Sequence, residues 1–306
     1  MSFFGNGSKG RIKKPLFMIL YSGPGIGKST MASTFPDPFF IDLEESTHNI
    51  TVERDRPETW DAVMAGLEAI RDTEKGKLEF KTLVFDTIDE VERLLHKHIA
   101  GFKQKNHILD IGFQKGFEFA VDCWADLITL CRQIRDKHKI HFVFLAHSIG
   151  RSHEDVEQGE SYQRHAIGIH KKSAAYLFGA VEMVLFAKKD VVIRVEDDKI
   201  IAKDTDRRVL CTSISAHYDA KNRIGLPPVM PMPFKNAFSV LWEAYEKAFN
   251  ETPESVYSEC TAYIKEIRDA DKAKEMSAYI EANKGDIASL RTALSIIIKR
   301  VEEQNG

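Results

Sequence analysis

Ser22-Gly23-Pro24-Gly25-Ile26-Gly27-Lys28-Ser29 is the stretch on which the reading of this chain turns. A short apolar run, Leu16 to Tyr21, precedes it and suits a buried strand. Thr30 to Thr34 continues as a short helix, stopped by the breaker Phe35-Pro36-Asp37-Pro38. A glycine-rich turn between strand and helix lets backbone N–H groups converge on phosphates. Gly25 and Gly27 keep side chains out of that cradle. Lys28 can reach the β- and γ-phosphates as a mobile point charge, and Ser29 can offer its hydroxyl to Mg²⁺. Ser22, Gly23, Pro24, Gly25, Ile26, Gly27, Lys28, Ser29 and Thr30 are therefore the expected ATP-binding residues. The usual pattern opens with Gly; Ser22 in that place is a minor departure.

Outward from the loop, short apolar runs alternate with helical patterns. Phe39-Phe40-Ile41, Leu83-Val84-Phe85 and His141 to Ala146 read as strands. Thr59–Thr73, Asp89–Phe102 and Phe113–His138 read as helices, with Phe117, Val121, Trp124, Ile128 and Cys131 on one core stripe of the last. That alternation predicts an α/β fold with a mainly parallel sheet flanked by helices. Ile149 to Lys172 is polar and has no clear period, so it reads as a long functional loop. Val181–Ala187, Val191–Val195, Ile200–Ala202 and Val209–Ile214 read as four strands joined by tight turns such as Glu196-Asp197-Asp198. Pro227, Pro228, Pro231 and Pro233 mark an extended segment. Thr252-Pro253-Glu254 looks like a capped helix start. The expected organisation is a tail over 1–14, an ATPase core over 15–249 and a small helical appendage over 250–306.

Composition narrows the class. The chain has 306 residues, 43% hydrophobic and 29% charged, with a net charge of −3. It is long enough to bury a core without staples. A chain that is not basic overall can meet DNA only through a local basic patch. Cys123, Cys131, Cys211 and Cys260 form no C-x-x-C pair, which argues for reduced thiols in the cytoplasm. No run reaches the roughly 18 apolar residues of a membrane helix, so no membrane partner is expected. His153, His165 and His170 match no compact zinc spacing. No Ser-His-Asp or G-x-S-x-G arrangement supports covalent hydrolysis, and no Asn-Lys-x-Asp motif supports GTP.

Two strand ends carry further chemistry. Asp86 closes an apolar strand, the position of the carboxylate that holds Mg²⁺ with Ser29. Thr87 follows it, where AAA+ ATPases place a catalytic Glu. Glu44 ends the strand after the loop helix and is the natural alternative base, because parallel strands share a C-terminal edge. Glu45 points elsewhere on this reading, and Asp89 suits a helix cap.

Phe40-Ile41-Asp42-Leu43-Glu44 resembles the strand-end segment of RecA-type recombinases, whose Glu activates water. His147-Ser148 matches the position of that superfamily's γ-phosphate sensor, and Ala220-Lys221-Asn222-Arg223-Ile224-Gly225-Leu226-Pro227 resembles the segment that reaches a neighbour's ATP. Together they are most similar to the Sak-type RecA-core ATPases of bacteriophages, over Pro15 to Phe249. The resemblance implies a RecA-like P-loop core and a Mg²⁺-dependent ATPase in the host cytoplasm. It also implies action on single-stranded DNA in recombination or annealing, with ATP between protomers of a ring or filament. A single-stranded DNA-binding protein is a further implied partner. Lys28, Glu44, His147, Lys221 and Arg223 are then catalytic, the last two as fingers across the interface. Arg151, Tyr162, Arg164, Lys171 and Lys172 are the candidate DNA contacts, as phosphate-binding cations around one stacking ring. The alternatives are a monomeric P-loop kinase and a ring-forming helicase or loader.

Overall fold

In the computed structural model, residues 12–112, 114–154, 161–196 and 199–305 are described. The run before the glycine-rich loop forms β1 (Phe17–Ser22), buried along its whole length. The loop opens into α1 (Lys28–Ala32), and the Phe-Phe-Ile run forms β2 (Pro38–Asp42). A short β3 (Glu53–Asp55) precedes α2 (Trp60–Asp72), whose Thr59 cap accepts from the Ala62 N–H at 3.1 Å. Then come β4 (Thr82–Asp86), α3 (Ile88–Phe102) and α4 (Lys115–His138).

β5 (His141–Glu154) and β6 (Ser161–Ile167) follow, then α5 (Lys171–Ala180), β7 (Met183–Glu196), β8 (Lys199–Cys211), β9 (Lys221–Asn222) and β10 (Val229–Pro231). The chain ends with α6 (Ala237–Asn250), α7 (Pro253–Ile264), α8 (Ala270–Ala282) and α9 (Ile287–Asn305).

The strands form one sheet in the order β10-β8-β7-β1-β5-β4-β2-β3, with β6 on β5 and β9 on β7. Pairing is parallel from β7 through β3 and antiparallel where β8, β10, β6 and β9 join. The architecture is of the expected α/β class, a mainly parallel sheet flanked by helices. β5 stands between β1 and β4, so its Leu145–His147 stretch lies beside both strands that carry the loop and Asp86. Register places Ser22 beside His147 and Asp42 beside Asp86.

The core follows from the apolar runs. Phe17, Phe142, Phe144 and Phe85 pack across three strands, with centroids 5.0 to 5.5 Å apart for Phe17 against Phe142 and Phe144 and for Phe85 against Phe144. Trp124 of α4 is fully buried and meets Trp60 edge-on at 6.2 Å. Truncating such a ring costs about 3–5 kcal/mol, because the surrounding layers cannot close the cavity.

Two expectations need correction. The expected loop over 149–172 is largely a β-hairpin, β5 with β6, followed by the start of α5. Its polar alternation belongs to strands with a solvated face. The four short strands from 181 to 214 are two long ones, β7 and β8, with a register shift between Lys189 and Val191. Backbone pairing carries them through polar residues that break the apolar runs. The turn at Asp197-Asp198 and the tail over 1–11 lie outside the described residues. The proline segment is extended, as β10 at the sheet edge, where a missing N–H costs no ladder bond.

The chain divides into two compact units, Met1–Trp242 and Glu243–Gly306. The division falls inside α6, ahead of Asn250, because α6 runs unbroken through that position. The second unit packs Val256, Cys260, Ile280, Leu290 and Ile297 into its own core. Its α7 begins with a capping box between Thr252 and Ser255 and has Pro253 at the first position.

Candidate functional site

The loop is shaped by two left-handed glycines, Gly25 at φ 74° and Gly27 at φ 97°. Among the described residues, no backbone N–H from Gly25 to Thr30 has a protein acceptor, whereas Met31 N–H already bonds the Gly27 carbonyl at 2.9 Å. A row of open donors on one loop is a nest for an anion. Lys28 is buried to 7% exposure, and burial pulls its ammonium pKa below the ordinary lysine value.

Ser29 Oγ donates to Asp86 Oδ2 at 2.6 Å. Asp86 is 1% exposed, and its Oδ1 is buried with no hydrogen-bond partner. Burial raises its pKa, with Asp42 adding to the rise. A hydroxyl and a carboxylate with one oxygen unspent form a hard-oxygen donor set, which fits Mg²⁺. Asp42 is itself fully buried, held by the Ser46 N–H at 3.2 Å, the Thr47 hydroxyl, and Arg56 at 3.3 Å.

Glu44, Thr87, Asp89 and His147 meet beside that pair. Thr87 Oγ1 lies 2.7 Å from both Glu44 Oε1 and Asp89 Oδ2. His147 Nδ1 lies 2.8 Å from Asp89 Oδ2 and 3.2 Å from Glu44 Oε1. Burial raises the Glu44 pKa. Thr87 Oγ1 donates within this carboxylate pair, and a His147 Nδ1–H donates to Asp89 Oδ2. His147 Nε2 is then left free to meet a phosphate. Gly168 N–H bonds the His147 carbonyl at 2.7 Å, and a Cβ on Gly168 would stand 2.8 Å from that oxygen. Only glycine fits so close to the His147 carbonyl.

The structure thus brings together the loop, Lys28, Ser29, Asp86, Glu44 and His147. Glu45 turns away, 76% exposed on its side chain and paired with Arg56. Lys221 and Arg223 instead meet the carboxyl end of α5. Lys221 Nζ donates to the Phe178 carbonyl, and Arg223 Nη2 donates to Gly179 O at 3.0 Å. Cations there favour the helix dipole.

Most of the candidate DNA contacts are already engaged within the chain. Arg151 donates to the Ile167 and Ile169 carbonyls, and Arg164 pairs with Asp219 at 2.9 Å. Lys172 pairs with Glu118 at 3.0 Å, and Tyr162 packs edge-on against His153 at 5.3 Å. Lys171 is exposed.

Sequence reasoning missed Asp89 as part of the cluster, although its place in the first turn after Asp86 was a usable signal. Arg208 was missed altogether. It arrives from β8, 7% exposed, and Nη1 donates to the Ile26 carbonyl at 2.6 Å. No local motif marks it.

These features define a P-loop NTPase with an α/β core built on a mainly parallel sheet. The profile of the family described as "AAA domain" matches residues 14–224, and the chain belongs to that family. The solved structure of the RadB recombinase aligns over 72% of this chain and 90% of its own, at 12% identity and a TM-score of 0.39. No curated protein sequence matches the chain. Among the described residues no helix is long and apolar enough to cross a membrane.

Proposed function

We propose that the chain is a Mg²⁺-dependent ATPase that assembles on single-stranded DNA and promotes annealing or strand exchange in phage-type recombination, in the host cytoplasm. The convergence of Glu44 and His147 on the strand edge beside Lys28 and Asp86 carries this reading. Ser29 and Asp86 would hold the ion, which supplies charge neutralisation at the phosphates. Lys28 and the open loop donors bind the phosphate chain. Glu44, once ionised, orients the attacking water and takes its proton, as general bases do. His147 Nε2 meets the γ-phosphate, and Asp89 keeps its ring in place.

Support for a DNA surface comes from a stretch outside the expected one. Phe102 is 75% exposed and Phe119 38%, with Lys103 Nζ lying 5.0 and 4.3 Å from the two rings. Lys97, Lys105 and Lys115 are exposed nearby in sequence, and among the described residues none of them has a carboxylate partner. Exposed rings interleaved with free lysines suit stacked bases and a phosphate backbone.

ATP hydrolysis measured with and without single-stranded DNA, alongside mass by light scattering, tests the reading. Stimulation together with assembly supports it. DNA-indifferent turnover by a monomer points instead to a kinase-type phosphotransferase.

A further inference from the structure

Arg208 reaches the glycine loop from β8, 182 residues beyond its partner Ile26 in the chain. Its Nη1 donates to the Ile26 carbonyl at 2.6 Å. A Cβ on Gly27 would collide with the same nitrogen, so the contact requires glycine there. Phe234 covers the guanidinium, its ring centroid 3.3 Å from Cζ. The cover is tied to the same strand: two residues before Phe234, the Met232 N–H bonds the Arg208 carbonyl at 2.8 Å. Arg208 is left 7% exposed.

The contact sets the orientation of one peptide plane. Ile26 and Gly27 share a trans peptide, in which C=O and N–H point opposite ways. Holding the carbonyl on the Arg208 side therefore turns the Gly27 N–H to the other face of the loop. That N–H has no protein acceptor, and neither have the others from Gly25 to Thr30. The guanidinium thus stands behind the loop, away from the open donors. Glycine populates φ above and below zero about equally, so a plane ending on Gly27 turns over easily unless something holds it. A charge-assisted hydrogen bond is a strong restraint of that kind.

We propose that Arg208 is a positioning residue of the phosphate loop: by holding the Ile26 carbonyl behind the loop, it keeps the Gly27 N–H presented to the phosphates of a bound nucleotide without touching them. This rests on the nucleotide-binding reading of the loop and deepens it. With the restraint in place, the empty loop already has the plane turned for binding. Without it, only the fraction of molecules with the plane so turned can bind, and apparent affinity falls by that fraction. The loss belongs to the empty loop, so it is the same for every nucleotide. Once a nucleotide is seated, its own phosphates hold the plane, and turnover at saturation is unaffected.

The test uses the full chain, competition of MgATP and MgADP against a fluorescent ATP analogue, and steady-state ATP hydrolysis. Arg208→Met keeps the length of the side chain without a donor, whereas Arg208→Lys keeps a charged donor. Arg208→Met is expected to bind MgATP and MgADP more weakly by one common factor of about tenfold, the scale of a lost hydrogen bond from a charged group. Its KM should rise with kcat unchanged, and Arg208→Lys should recover most of the affinity. A residue that only supports the fold would instead lower kcat and the nucleotide-free melting temperature together.

Wild-type affinity in Arg208→Met overturns the proposal. So does a loss confined to MgATP, which would tie Arg208 to the terminal phosphate. Phe234→Ala serves if Arg208→Met does not fold, because Phe234 is 64% exposed and its removal leaves the core intact. Loosening the cover should weaken both nucleotides by one common factor of roughly threefold, the scale of an exposed cation–π contact. Wild-type affinity in that variant then overturns the proposal. If the wild-type chain binds neither nucleotide, the nucleotide-binding reading fails first and the role of Arg208 falls with it.

Discussion

Asp89 holds His147 at two points, accepting the backbone N–H on Oδ1 at 2.9 Å and facing Nδ1 with Oδ2 at 2.8 Å. The double contact holds the middle of β5 in place, and with Nδ1–H donating to the carboxylate Nε2 is the free nitrogen. Through Thr87 the same carboxylate reaches Glu44. A residue that looks like a helix cap in the sequence thus braces the whole edge.

Glu44→Gln should bind MgATP with unchanged affinity and hydrolyse it about 10²–10⁴-fold more slowly, the usual contribution of a general base. Single-turnover hydrolysis with a parallel binding titration checks this. Turnover within a factor of two of wild type would move the base elsewhere.

Asp89→Asn keeps the shape but has one acceptor oxygen, so it can no longer take the His147 backbone N–H on one side and Thr87 with His147 Nδ1 on the other. Turnover should fall roughly 10–100-fold, the scale of a lost bond to a charged group. Nucleotide affinity should hold, since Asp89 has no direct role in the phosphate loop. A fall in affinity equal to the fall in turnover would show that Asp89 acts on binding instead.

Lys221 has its pKa pulled down to about 8 by burial, with Arg223 adding to the effect. Its charge is therefore lost as pH rises through that value. If Lys221 acts across an interface, the ATPase activity of the assembled protein should decline above about pH 8, and Lys221→Arg should abolish that decline. Lys221→Ala with Arg223→Ala should slow the assembled enzyme while leaving binding of MgATP to the isolated chain intact. An unchanged pH profile and unchanged assembled turnover would leave both cations as partners of the α5 terminus only.

Glu92 is 6% exposed, with Oε2 accepting the His170 N–H at 2.7 Å and Oε1, without a hydrogen bond, 3.9 Å from His96 Nε2. Burial raises its pKa. The sign follows: below the ordinary carboxylate range both folded and unfolded states hold the proton and nothing is lost. Stability is then lost as pH rises through the folded-state value. Glu92→Gln should remove that decline and melt a few degrees above wild type at neutral pH. Melting curves across pH check it, and parallel curves for the two proteins would refute it.

Removing Phe119 and Lys103 together should weaken single-stranded DNA binding without changing basal ATP turnover. A stacked base contributes about 1–3 kcal/mol, so a fall in affinity of tenfold or more is expected. Filter binding across salt concentrations measures it. Retained affinity would return the search to Lys171 and the β5–β6 hairpin.

Local patterns were enough to place the loop, Asp86 and Glu44 from sequence. Each lies where an apolar run stops, and parallel strands bring such stops to one edge. His147 was legible for the same reason. The hairpins were not, because backbone pairing sustains strands through polar residues such as Lys188 and Lys189, where side-chain periodicity fails. Nor was the engagement of Arg151 and Arg164, whose partners are carbonyls and a carboxylate distant in the chain.

By itself the sequence determined that a glycine-rich P-loop joins a buried strand to a helix, that Asp86 closes a neighbouring strand, and that Thr87 stands where AAA+ ATPases place a Glu. Only the tertiary structure decided that Asp89 joins Glu44 and His147, that Lys221 and Arg223 rest on the end of α5, and that Arg208 reaches Ile26. The reason is physical. Strand ends and glycine turns write themselves into neighbouring residues, whereas contacts between β8 and the loop exist only after the sheet has ordered its strands.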